Sequence, residues 1–411
     1  MVSLKRWTII MIERLKLIIN NLFQHCFEFK DSYTLHALKL QNEIVLKEGV
    51  FGIASTNMGL KDLRFIHSDD MGIYWIVPKL MSFFSLTYSQ SYFAFLFFTF
   101  TLSSFLAIVS IRILFKEKIT RLYATSGVIG ITILLFCIRD KAMLTGTAAL
   151  LIFPILVVLK KRLLFRKSIM VLLFLFSILL SIFEQCRTFA GIPVIFLILT
   201  LIFFHNIASK KEKSVLVLVI ILGWVLPHLM MVNELKKKET YAVRNNIIVN
   251  KQKTHHKWFN IYIGLGYIKN NPYNLQYVDA YGLKRLKELD SDFKGWGTVK
   301  SEKLMQKEVF RIIKENPWFV MKTVLLKLLE SIVTLNIIFV LAVITWFREK
   351  DWRHKLLWFC GISLSFLPSL LTMPILNYQI GFYTLVFIYS SFSIAYCYDK
   401  LRRQYMIFLK K

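Results

Sequence analysis

Tyr92–Phe115, YFAFLFFTFTLSSFLAIVSIRILF, carries no charge before Arg112. A helix needs about 20 apolar residues to cross a bilayer, with a range of roughly 17–25, so this stretch predicts a transmembrane helix. Val128–Ile138, Leu150–Leu159, Ile169–Phe183, Ile192–Phe204, Val215–Val232, Ile332–Phe347, Leu356–Met373 and Phe382–Tyr398 are of span length or close to it. With a first run at about Trp7–Phe27 they make ten. Apolar residues form 56% of the chain, above the roughly 45–50% of soluble domains. The fold class expected is an all-α polytopic membrane protein with about ten transmembrane helices.

The formal net charge of +28 would suggest nucleic acid in a soluble chain. Its distribution points elsewhere. Lys and Arg gather in alternate short loops: Lys116, Lys118 and Arg121; Lys160, Lys161, Arg162, Arg166 and Lys167; Lys210, Lys211 and Lys213; Arg348, Lys350, Arg353 and Lys355; Lys400, Arg402 and Arg403. Short basic loops stay cytoplasmic, which predicts both termini inside and no nucleic-acid partner. Met1–Lys16 holds Glu13, Arg14 and Lys16, unlike a cleaved signal peptide. The five cysteines (Cys26, Cys137, Cys186, Cys360, Cys397) show no metal spacing and are expected to be free thiols.

Two long stretches remain, both on the outer side. Residues 1–232 form a transmembrane module that includes a first outer loop (28–90), residues 233–327 a large, mostly helical outer loop, and residues 328–411 the last spans. In the first loop a polar helical stretch, Asp31–Glu48, is broken by Gly49 and Gly52. Met71–Phe84, with Pro78 and Lys79, is too short to cross and reads as a helix lying in the interface. In the large loop a basic segment, Lys236–Lys257, precedes the aromatic–glycine run Trp258–Tyr267. Helices are expected at about Val278–Leu289 and Ser301–Glu315, the second ended by Asn316-Pro317.

Asp31 lies just past the outer end of the first helix. It can be a general base for an acceptor hydroxyl or a solvated residue at a helix end. Asp140, between Arg139 and Lys141 in a tight outer turn, shares its depth, as do Glu184 and Arg187 in the next outer turn. Ionisable groups gathered at one membrane face form a functional-site hypothesis, against simple interfacial anchoring. Trp258, Tyr262 and Tyr267 can stack on sugar rings or sit in the aromatic belt. The adjacent His255 and His256 can meet a phosphate but make a poor metal site.

The order of these parts resembles the GT-C class of membrane glycosyltransferases, above all bacterial relatives of the aminoarabinose and protein-mannosyl transferases. Asp31-Ser-Tyr33 with Ala37 and Gly49 is similar to the acidic residue after their first span. His67-Ser-Asp69-Asp70 leads into the interfacial helix. Asp140-Lys-Ala-Met-Leu144-Thr145 looks like their Asp after span three, and Arg187-Thr-Phe-Ala-Gly191-Ile-Pro193 like the basic residue opening span six. His255–Tyr267, with Asp279 downstream, resembles a run in uncharacterised GT-C-like proteins of bacterial envelope-polysaccharide loci. Two departures are visible: the paired acids after span one are split as Glu28 and Asp31, and the Pro pair before the interfacial helix is missing, which leaves the donor lipid open.

The resemblance implies a bacterial inner (plasma) membrane enzyme. It would move a sugar from a polyprenyl-phosphate donor to an envelope glycan, lipid or protein on the periplasmic face. Asp31 would be the base. Asp140, with Asp69 or Asp70, would orient the acceptor or hold a divalent cation, magnesium or manganese. Arg187, His255, His256 and Lys257 would hold the donor phosphate, with His67, Trp258 and Tyr262 lining the substrate. An O-antigen polymerase or ligase, using Arg187 and Arg244, is the alternative enzyme. A non-enzymatic lipid-linked glycan transporter is the other class, and would place charges and broken helices deep in several spans; apart from Pro154, Pro227, Pro368 and the charged first run, the chain has little of either.

Overall fold

The structure, a computed structural model, describes residues 32–57, 59–65, 70–84, 87–160, 167–204, 209–247, 257–291 and 299–408. The expected first span, Trp7–Phe27, lies outside them. Apart from one short hairpin the described residues are helical, and the chain is a multi-pass helical membrane protein.

The first long loop contains α1 (Ser32–Glu48), strands β1 (Ile53–Asn57) and β2 (Gly59–Phe65), and α2 (Met71–Phe84). The antiparallel β1–β2 pair, with Ile53 opposite Phe65 and Asn57 opposite Gly59 across a register shift between Ser55 and Asn57, adds one short hairpin to the otherwise helical chain. Its cause is local. Gly49 (φ +66°) and Gly52 (φ +77°) end α1 with left-handed backbone, and an Ile- and Thr-bearing stretch that turns through Asn57 and Gly59 suits strands. α2 occupies the expected Met71–Phe84. Its Pro78 has no N–H for the carbonyl of Tyr74. The Gln41 side chain of α1 donates to that carbonyl instead (3.2 Å) and accepts from the Gly52 N–H (2.9 Å). One buried amide thus ties α1, the hairpin approach and α2 together.

The bundle follows: α3 (Tyr88–Leu114), α4 (Lys118–Ile138), α5 (Met143–Leu150), α6 (Ile152–Lys160), α7 (Lys167–Cys186), α8 (Ile192–Phe204) and α9 (Lys210–Arg244). Thr87 opens α3 with a capping box, its side chain on the Gln90 N–H and Gln90 returning to the cap. Helix α9 runs 35 residues, about 52 Å at 1.5 Å per residue. It therefore passes through position 233, and Lys236, Lys237 and Lys238 are helical.

The large loop contains α10 (Lys257–Gly264), a 3-10 turn (Leu265–Tyr267), α11 (Asp279–Leu289) and α12 (Val299–Glu315), and leads into α13 (Pro317–Leu335). It has a core of its own, built from Phe259, Tyr262, Ile263, Leu286, Met305 and Val309 with Phe319 of α13. Burial of each large apolar side chain contributes roughly 1.5–3 kcal/mol. Asn316 caps α13 by accepting from the Phe319 N–H (3.0 Å).

Helix α14 (Ile337–Arg348) meets α13 at 98°, with Asn336 (φ +48°) at the break. The expected span Ile332–Phe347 is therefore bent near its start. The chain closes with α15 (Trp352–Leu371) and α16 (Leu376–Phe408). Among the described residues six helices, α5 and α6 counting as one, are long and apolar enough to cross a membrane, or seven with the bent pair; α8 is apolar but shorter. Cys186 and Cys360 are free, while Cys137 is disulfide-bonded, a correction to five free thiols.

Candidate functional site at the meeting of four connections

The tight turns are where the bundle becomes chemical. At the end of α4, Arg139 takes a left-handed conformation (φ +48°) that reverses the chain. Asp140 then accepts from the Ala142 N–H (2.5 Å) and from the Asn377 side chain (2.8 Å) at the start of α16. Lys141 reaches the carboxylate of Asp70 (2.9 Å), just before α2. Arg187, after α7, reaches the same oxygen (3.4 Å). The other oxygen of Asp70 accepts from the backbone N–H (3.1 Å) and hydroxyl (3.4 Å) of Thr188.

Two local devices allow this. A Cβ on Gly72 would stand 2.6 Å from the carbonyl carbon of Gln185, so only glycine lets the first turn of α2 sit on the end of α7. Glu184 accepts from the backbone N–H groups of Phe189 (2.9 Å), Gly191 (2.8 Å) and Ile192 (3.0 Å). It shapes the Arg187–Thr188 turn and accepts from the orphan N–H donors at the start of α8.

The electrostatics set which groups face a ligand. Burial favours a neutral Asp70, but the charges of Lys141 and Arg187 and the hydrogen bonds from Lys141 and Thr188 outweigh it and hold its pKa at about 2. Burial likewise works against the Arg187 charge, yet Asp70, Tyr378 and Asp140 keep it protonated, with its pKa above the ordinary range. The Asp70 side chain is 5% exposed, whereas Lys141 and Arg187 keep 17% and 19%. An approaching solute therefore meets the two cations and not the acid that holds them. That geometry fits an anion.

The large loop docks beside this cluster. Gly264 lies so close to the end of α15 that a Cβ would be 2.3 Å from the Leu371 carbonyl oxygen. Lys327 donates to the carbonyls of Leu370 (3.1 Å) and Thr372 (2.6 Å), satisfying a helix end. Tyr277 of the large loop comes near Tyr378, and burial followed by that neighbour raises its pKa.

Of the residues expected from the sequence, Asp31, His67, Asp69, His255 and His256 lie outside the described residues. Asp70, Asp140 and Arg187 are brought together. Trp258 and Tyr262, expected at the substrate, pack with the large-loop core. The Tyr262 ring is 5% exposed inside the loop core, its pKa raised to about 12 by burial and then by Glu308. Trp258 packs on Phe310 (5.3 Å between centroids) and donates its backbone N–H to Glu302 (3.0 Å). Lys257 is exposed and opens α10 at the end away from Gly264. The described acids do not fit a divalent cation. Lys141, Arg187 and Thr188 take both oxygens of Asp70, and no group of three His, Cys, Asp or Glu gathers among the described residues.

Lys141, Thr188, Asn377 and Tyr378 were missed as site residues. For Lys141 and Thr188 the signal was available, because both sit in short turns beside residues already singled out, whereas Asn377 and Tyr378 open α16. Comparison with protein families, with curated proteins and with solved structures gives no match.

Proposed function

We propose that the chain is a GT-C-type glycosyltransferase of a bacterial plasma membrane, with ten spans and cytoplasmic termini. It takes a sugar from a polyprenyl-phosphate donor on the outer face. The observation that carries this is the pair Lys141 and Arg187, gathered from two turns onto one buried carboxylate and both still partly exposed. In the reaction an acceptor hydroxyl attacks the anomeric carbon, the carbon–oxygen bond to phosphate breaks, and the polyprenyl phosphate leaves with the electron pair. Arg187 and Lys141 stabilise the charge that grows on that phosphate. Asp140, held by Asn377 and the Ala142 N–H, orients the acceptor, and Asp31 takes its proton. No step is assigned to a metal.

The test uses purified protein in liposomes with polyprenyl-phosphate donors labelled in the sugar. Protein-dependent loss of label from the lipid, abolished in Asp140→Asn and Arg187→Gln, is expected. Label that stays on every donor tried, or leaves equally well with both variants, rejects the proposal. The bend at Asn336 is the feature that a glycan transporter would explain. The charged cluster, however, lies at helix ends and not at midspan, which favours the enzyme.

A further inference from the structure

Helix α13 grips the connection between α15 and α16 at two points. Lys327 is 1% exposed, and its ammonium donates to the carbonyls of Leu370 (3.1 Å) and Thr372 (2.6 Å). One turn further along α13, the Ser331 hydroxyl donates to the Lys327 carbonyl (2.8 Å) and accepts from the Gln379 side chain (2.6 Å). The first grip falls before Asn377 in the chain and the second after it. Between them Asn377 donates to Asp140 (2.8 Å), a residue 237 positions away.

The geometry of α16 gives this bracket a consequence. A helix turns about 100° per residue, so Asn377 and Gln379 leave its first turn on roughly opposite sides. Gln379 reaches α13, and Asn377 reaches the turn after α4. Rotation of that first turn about its axis would carry the Asn377 amide off Asp140. Its start is closed by the Tyr378 (3.0 Å) and Gln379 (3.1 Å) N–H groups on the Ile375 carbonyl. Just ahead of it, Lys327 ties down the end of α15, against which Gly264 of the large loop leaves no space for a Cβ. A buried ammonium is costly unless hydrogen-bonded. What the lysine adds over an apolar side chain of its size is the two bonds it donates.

We infer that Lys327 and Ser331 are positioning residues that fix the α15–α16 connection on both sides of Asn377, so that Asn377 holds Asp140 in the orientation an acceptor hydroxyl requires. This rests on the acceptor role proposed for Asp140. Both residues act through Asn377 and not on the reacting atoms.

The experiment uses the purified full chain in liposomes with the sugar-labelled polyprenyl-phosphate donors. Binding of farnesyl phosphate, a short polyprenyl phosphate, and thermal melting are measured beside transfer. Lys327→Met lowers kcat about tenfold, the scale of a lost hydrogen-bonded alignment, with donor KM and farnesyl phosphate affinity within about twofold of wild type. Ser331→Ala lowers kcat about threefold on the same scale, and carries the test if Lys327→Met does not fold. The double variant Lys327→Met with Asn377→Ala is no slower than Asn377→Ala alone, because the lysine acts only through the asparagine. Lys322→Met, at an exposed lysine of the same helix, changes neither transfer nor binding. Wild-type transfer retained in Asp140→Asn would overturn the acceptor role itself. Transfer that depends on Asp140 but is unchanged in Lys327→Met and Ser331→Ala would overturn the positioning role alone. So would losses that multiply in the double variant, or farnesyl phosphate binding that falls together with kcat.

Discussion

Two regions of this molecule use the same residue types to opposite ends. In the large loop, Glu308 is gripped by Arg285 (2.9 Å) and Arg311 (2.8 Å), and Arg311 also binds Glu315 (2.6 Å). In the turn cluster, Asp70 is gripped by Lys141 and Arg187. Both are carboxylates under two cations. The loop network joins neighbouring helices of one small core, and its arginines are open to water. The cluster joins residues 117 positions apart in the chain and leaves its cations only partly open. Charge pairs between near neighbours hold an element together, whereas pairs brought from distant turns define a place.

The comparison breaks most visibly at the two central acids. Asp70→Asn should leave two partly buried cations without their counter-ion, which typically costs about 3–5 kcal/mol, and should reduce sugar transfer by more than about 10²-fold. Glu308→Gln should cost about 1 kcal/mol, because its arginines are solvated, and should leave transfer near normal. Thermal melts and transfer assays on the two variants decide it. Equal losses of activity would erase the distinction.

Acid should separate the regions next. The Asp70 pKa is depressed to about 2 in the folded chain, below the roughly 3.9 of an unfolded aspartate. Its stabilisation is therefore complete above about pH 4 and is lost as pH falls toward 2. A shift of that size corresponds to about 2 kcal/mol. Melting curves taken between these pH values should fall further for wild type than for Asp70→Asn, and parallel curves would show that Asp70 is not paired as described.

A smaller effect is expected at Asn377. Asn377→Ala removes one hydrogen bond from Asp140 and should slow transfer about tenfold while leaving farnesyl phosphate binding intact, since it acts on the acceptor side. Weaker binding in this variant would move Asp140 to the phosphate instead.

Much of the fold was legible because apolar runs and alternate basic loops are local signals. Met71–Phe84 appeared as expected, and the second large-loop helix ended at the expected Asn316-Pro317. What escaped depended on contacts between distant residues. The 98° break at Asn336 has no proline to announce it, and the β1–β2 hairpin occupies a stretch with no strong periodicity. In the site, Asp70, Asp140 and Arg187 could be singled out by their depth, but their pairing could not. The run His255–Tyr267 was harder to read for a physical reason: an aromatic-rich segment on an outer loop serves a sugar or a core equally well, and Phe259, Tyr262 and Ile263 pack into the large-loop core.

That packing predicts the smallest effect. Tyr262→Phe keeps the buried ring and should change transfer by less than about twofold, within the range of a conservative core change. A loss beyond about tenfold would return Tyr262 to the substrate.

The most direct test sets one arginine against the other. Arg187→Gln and Arg285→Gln each remove a cation from a buried carboxylate, one in the turn cluster and one in the large loop. Farnesyl phosphate binding should weaken more than about tenfold in Arg187→Gln, the loss of a charge-assisted contact, and stay at the wild-type value in Arg285→Gln. Equal affinity in the two variants, or a loss confined to Arg285→Gln, would contradict the assignment of the anion site to the meeting of the turns.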